Sequence, residues 1–159
     1  MQWSKITDII LIASVAVLGV FAILGLCQWV KRKSLKKVDK PLLAMLVPLI
    51  LMAATYIIFD KFLVLNTRPN GSGEPSFPST HTMVVAAIFL CIALILPRYI
   101  KSKAAIITLD ILMLALTVLV CIGRVAANIH WVSDVAGGLI FAIIFAAIYY
   151  LIIRRHKNA

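Results

Sequence analysis

Residues 61–81 read KFLVLNTRPNGSGEPSFPSTH. Apart from one short basic loop, this is the only long polar run in the chain, and it lies between two apolar segments. It holds Lys61, Arg68, a Gly/Ser/Pro-rich turn and His81. Two cations followed by a Ser-Thr-His that opens a helix describe an anion site, because a helix start presents unpaired N–H groups and the positive end of its dipole. Phosphate is the obvious anion.

Outward from this stretch the chain is overwhelmingly apolar. Of its 159 residues, 63% are hydrophobic and only 14% are charged. So small a soluble domain could not cover that much apolar side chain with so little polar surface. The composition predicts an all-α integral membrane bundle forming a single domain over residues 1–159. A net charge of +10 could suggest nucleic acid. The charges sit in short clusters between apolar spans, however, and membrane orientation explains them without a nucleic-acid partner. Cys27, Cys91 and Cys121 lie in or at the ends of apolar spans and read as small packing residues, not as a disulfide or metal set. The first apolar run is too long for a cleavable signal, so none is expected.

Five spans are expected, at about 6–30, 41–59, 79–96, 104–122 and 131–153. The first ends in KRKSLKKVDK, the third in Pro97, Arg98, Lys101 and Lys103, and the fifth in RRHKN. Short basic loops stay cytoplasmic, which puts the N-terminus outside, the C-terminus inside and both histidine-bearing polar segments on the external face. The first basic run reads as a topology anchor, with anionic-lipid binding as the alternative. Asp110 lies about 10 Å along span four from Lys103 at ~1.5 Å per residue. It is expected to be a neutral or locally paired carboxyl, too far from the external loop to share its chemistry.

The external segments carry the reactive groups. Arg68 offers a planar fork for two phosphate oxygens, and Lys61 a compact charge. Ser79 caps the helix that Thr80 and His81 open. The second segment, GRVAANIHWVSD, adds Arg124, His130 and Asp134. His130 and Asp134 are four apart at the start of span five and are expected to share a helix face. An aspartate beside a histidine fixes its tautomer and leaves the other nitrogen free to attack. No cluster has metal-ligand spacing, so neither metal nor other cofactor is expected.

Lys61-x6-Arg68-Pro69, Pro78-Ser79-Thr80-His81 and Arg124-x5-His130-x3-Asp134 together resemble the three signature motifs of the type 2 phosphatidic acid phosphatase superfamily. The resemblance covers residues 61–134 and departs from the family pattern twice. Thr80 stands where the family has glycine, and Gly123 where a serine precedes the arginine. Membrane members often have six spans, against the five expected here. The resemblance implies that His130 is the nucleophile forming a phosphohistidine, oriented by Asp134. It implies that His81 protonates the leaving oxygen. Lys61, Arg68, Ser79, Thr80 and Arg124 would hold the phosphate, their charges taking the place of a divalent cation. A lipid phosphate in the outer leaflet is the implied substrate, and a chain with short external turns looks most like an undecaprenyl pyrophosphate phosphatase serving cell-wall polymers. Phosphatidylglycerol phosphate or phosphatidic acid is the alternative substrate. A catalytically silent lipid-phosphate binder or transporter is the alternative of another class; it would need the cations but not His81, His130 and Asp134.

Overall fold

Residues 2–155 are described in the structure, a computed structural model. The first helix, α1, spans Gln2–Arg32 and leads through a 3-10 turn, Leu35–Lys37, into a broken second span. That span comprises α2 (Lys40–Ala44), α3 (Leu46–Ile57) and a closing π turn, Ile58–Phe62. Pro48 explains the break: without an N–H it cannot bond the carbonyl of Ala44, and the ladder lapses at Met45. Then come α4 (Thr80–Tyr99), α5 (Lys103–Ala126) and α6 (Val132–Arg155). Among the described residues, five helical segments, with Lys40–Phe62 counted as one, are long and apolar enough to cross a membrane.

Each span ends a few residues beyond its expected C-terminal bound, because backbone groups at membrane depth must stay paired after the apolar side chains end. In the third the extension passes through a proline. Pro97 was expected to begin the turn, but it sits inside α4, which closes at Tyr99 with the Ile100 amide donating to Leu96 (2.9 Å). A proline in a last turn removes one bond and lets the rest form. Of the basic RRHKN end, His156, Lys157 and Asn158 lie outside the described residues.

Helix α4 is the axis of the bundle. Met83, Val85, Ala87, Ile92 and Ile95 are all buried. Helix α6 crosses it closely at Gly137 and Gly138. A Cβ on Gly138 would stand 2.8 Å from the Ser79 carbonyl oxygen, and one on Gly137 would enter the Phe77 ring. Helices α1 and α5 pack against α4 and against each other, and turn Ile9, Ile12, Ile107, Ile111 and Leu114 outward. Lipid is as apolar as these side chains, so hydrophobicity alone does not mark the inner face; small residues do.

One end of the bundle is clamped by Asp39, which accepts from Gln28 (2.8 Å), Arg32 (3.2 Å) and Tyr99 (3.3 Å). The other end carries the polar loop. Residues 66–76 double back as a small hairpin, with the Ser76 amide donating to Asn66 O (2.9 Å) and the Arg68 amide to Glu74 O (3.0 Å). Gly71 and Gly73 turn it at φ 76° and 74°.

Candidate active site

The C-terminus of α5, the turn before α6, the N-terminus of α4, Leu11 of α1, the end of α3 with its π turn, and the hairpin line a pocket of about 340 Å³. Asp134 anchors one wall. It is fully buried in the first turn of α6, where a carboxylate is favoured by the helix dipole. Its Oδ2 accepts from the Trp131 amide (2.9 Å) and from the Ser76 hydroxyl, and its Oδ1 from Asn66 Nδ2 (3.1 Å). Its own carbonyl accepts from the Ser79 amide (3.0 Å), tying the starts of α6 and α4 together.

His130 stands beside it, but not on a shared helix face. Helix α6 begins only at Val132, and His130 belongs to the preceding turn, which closes when the Ile129 and His130 amides both donate to the Arg124 carbonyl (3.3 Å each). The pairing survives this change of backbone. His130 Nδ1 lies 3.7 Å from Asp134 Oδ2 and 3.4 Å from Ser76 Oγ, and Nε2 has no such partner among the described residues. Burial, aided by the Arg124 charge and opposed by Asp134, lowers the pKa of His130 to about 4. The ring is therefore neutral at neutral pH, as a nitrogen nucleophile must be.

Across the pocket are two guanidinium groups. Arg124 is buried, and Arg68 reaches in from the hairpin with one amino group held by Glu74 (2.9 Å). The Nε of each is buried with no hydrogen-bond partner among the described residues. Buried unpartnered donors on two cations in one cleft describe an anion site. Thr80 and His81, at the start of α4, line the same pocket.

Two expected phosphate ligands are placed elsewhere. Ser79 is fully buried behind the pocket wall; its hydroxyl pairs with Thr82 Oγ1 (3.1 Å) and caps no backbone group of α4. Lys61 is exposed on the π turn, its ammonium 2.7 Å from the carboxylate of its neighbour Asp60. Asp60 lines the pocket, and Lys61 is not among the lining residues. Asp110 keeps Oδ1 buried without a hydrogen-bond partner among the described residues, on α5 and apart from the residues that line the pocket.

Several contributors were not anticipated. Asn66 and Ser76 hold Asp134, and residues of this type in a loop give no sign of their partner until the hairpin is closed. Asp8 was legible: it is an acid inside an otherwise apolar span, the kind of residue that usually faces a partner. It does so here, with Oδ1 2.9 Å from His81 Nε2 and 3.6 Å from an Arg124 amino nitrogen. Its neighbour Thr7 is fully buried and accepts from the same Arg124 nitrogen (3.4 Å).

With two histidines, two guanidinium groups and a held aspartate around one cleft, the chain was compared with known proteins. The family model of the PAP2 superfamily matches residues 41–158. The chain belongs to the PAP2 superfamily. No curated protein matches it. Among solved structures, it is similar to a transmembrane PAP2-type phosphatidylglycerolphosphate phosphatase from Bacillus subtilis, with a TM-score of 0.71 and 23% sequence identity. The likeness covers 99% of this chain and 76% of that one. This PAP2 protein is thus a multi-pass membrane protein with the fold of that phosphatase. The family match begins at residue 41, so it includes all three motifs and leaves out α1.

Proposed function

We propose that the protein hydrolyses a lipid phosphate through a phosphohistidine, without a metal, at the external face of the membrane. One arrangement carries this reading. A neutral His130, held at Nδ1 by Asp134 and Ser76, shares a pocket with two guanidinium groups whose buried Nε donors lack partners.

In this reaction His130 Nε2 attacks phosphorus as the bond to the lipid oxygen breaks, and His81 gives that oxygen its proton. Water then attacks the phosphohistidine, passing its proton back to His81, and the P–N bond breaks to restore His130. Arg68 and Arg124 face the charge on the equatorial oxygens, and Thr80 borders them at the start of α4. Lys61 joins the cradle only by turning away from Asp60. A silent binder would have no use for a neutral, oriented His130.

The basic loops Lys31–Lys40 and Arg98–Lys103 support a cytoplasmic placement for the end opposite the pocket, and so an outer-leaflet substrate. A glycerolipid monoester such as phosphatidylglycerol phosphate is the first reading, favoured by the substrate named for the fold neighbour and by the Asp8 carboxylate beside His81. Undecaprenyl pyrophosphate, which short external turns suit, is the second reading. The test is phosphate release by the purified protein from a panel of lipid phosphates with EDTA present. Release from at least one of them that EDTA does not reduce and His130→Ala abolishes is the expected result. Release that EDTA removes, or that His130→Ala retains, overturns the reading.

A further inference from the structure

Helix α1 lies outside the family match and still enters the site. Thr7 fits against Gly123, Asp8 sits on the pair His81 and Arg124, and Leu11, almost one turn on, lines the pocket. We propose that Asp8 is a specificity-determining residue, which makes the enzyme selective for phosphate monoesters over diphosphates. The proposal rests on His81 being the group that meets the leaving oxygen.

If His130 attacks phosphorus, the leaving oxygen departs in line on the opposite side, at His81. Asp8 Oδ1 lies 2.9 Å from His81 Nε2, so its carboxylate borders the space the leaving group must occupy. Of the charged groups, Arg68, Arg124 and an Asp60 already paired with Lys61 line the pocket, while Asp8 adds a negative charge at His81 from α1. A monoester breaks its P–O bond to release a neutral alcohol, once His81 has supplied the proton. A diphosphate breaks its P–O–P bridge to release a lipid phosphate, which carries negative charge next to Asp8. Like charges in contact near a protein surface repel enough to change a rate by about tenfold or more.

The need for the proton divides the substrates in the same direction. An alkoxide is strongly basic and depends on the proton; a lipid phosphate is a weak base and leaves without much help. Asp8 accepts a hydrogen bond from Nε2 and so holds the proton on that ring edge until the departing oxygen takes the carboxylate's place. The device therefore serves the substrate that needs the proton and opposes the one that does not. Asp8 is half exposed, so its carboxylate can rotate aside for a neutral hydroxyl while its charge stays nearby.

The matched substrates are a short-chain phosphatidic acid and the diacylglycerol pyrophosphate of the same acyl chains, assayed with the full-length protein in detergent. The wild type should have the higher kcat/KM on the monoester. Asp8→Asn, which keeps the shape and removes the charge, should raise the diphosphate-to-monoester ratio of kcat/KM by about tenfold or more. Asp8→Glu, which keeps the charge, should stay on the wild-type side of that ratio. If Asp8→Asn loses its melting transition, Asp8→Ser takes its place and is read in the same way. An unchanged ratio in a wild type and variant that both hydrolyse lipid phosphates overturns the role of Asp8 and leaves the phosphatase reading standing. A wild type that releases phosphate from no lipid overturns both.

Discussion

The γ-methyl of Thr7 stands 2.6 Å from the point where a Cβ on Gly123 would lie. The missing serine of the family pattern is thereby explained: α1 comes so close to α5 that no side chain fits at 123. The same approach brings the Thr7 hydroxyl to within 3.4 Å of Arg124, so a hydroxyl from another helix stands beside the arginine. Gly123→Ser alone should overpack this contact and destabilise the protein by about 1–3 kcal/mol. Thr7→Ala removes the clashing methyl, so Thr7→Ala/Gly123→Ser should recover most of that loss. The check is a double-mutant cycle on the melting temperature in detergent. Simple additivity of the two changes would refute the contact.

Arg124 is buried, with one amino group near Thr7 and Asp8 and its Nε unpartnered. Arg124→Lys keeps the charge but loses the planar fork, and one point charge cannot replace donors at two positions. Activity should fall by about 10²–10³, the scale for removing a donor to a transition-state oxyanion. Orthovanadate, a five-coordinate mimic of the transferring phosphoryl group, should inhibit the wild type and bind the variant more weakly. Phosphate release and vanadate titration on both proteins check this.

The neutral state of His130 has a consequence for stability. Its pKa falls from 6.5 to about 4 on folding, through burial first and Arg124 second. Above pH 6.5 the ring is neutral whether the chain is folded or unfolded, and stability is unaffected. Below it, the unfolded chain takes up a proton that the folded ring refuses, so stability is lost as pH falls toward 4. His130→Gln removes that difference and should flatten the decline. Melting temperatures of both proteins between pH 7 and pH 4 measure it, and NMR of labelled histidine should show a signal, absent in His130→Gln, that stays neutral at pH 5.

The parts of this structure legible in the sequence were those carried by local chemistry. The five spans follow from apolar length, and the motif residues from charge and spacing. The placement of Ser79, Lys61 and His130 was less legible because it depends on where backbone segments meet. The Ser79 amide serves Asp134 and its hydroxyl serves Thr82. Lys61 satisfies itself on Asp60. His130 sits in a turn because two amides in succession close on Arg124 O, which no periodicity reveals. Asp8 stood out as an acid in an apolar span, but its partners did not: Thr7 and Asp8 are more than 70 residues from His81 and more than 110 from Arg124, and only helix packing brings them together.

The orientation can be read chemically. In a background without Cys27, Cys91 and Cys121, Ser72→Cys places a thiol at the exposed tip of the hairpin, and Lys36→Cys places one in the first basic loop. An impermeant thiol reagent added to intact cells should label the first and not the second. Labelling of Lys36→Cys alone would invert the topology and move the pocket to the cytoplasmic leaflet.

The two histidines should separate by substrate. If His130 attacks phosphorus, His130→Ala removes the nucleophile and should abolish turnover whatever the leaving group. If His81 serves only to protonate that group, its importance should track how basic the departing oxygen is. A lipid monoester expels an alkoxide, so His81→Ala should cost it the full benefit of general acid catalysis, about 10²–10⁴-fold. A nitrophenyl phosphate expels a weakly basic phenolate and should be largely spared, with a lipid diphosphate between them. His81 also touches Asp8, so a fall common to all three substrates would mark a loss of site geometry instead of a lost proton. The measurement is turnover of both alanine variants on the three substrates, with each protein shown to melt cooperatively. An equal loss on all three in His81→Ala, or residual nitrophenyl phosphate turnover in His130→Ala, would show these roles to be wrongly assigned.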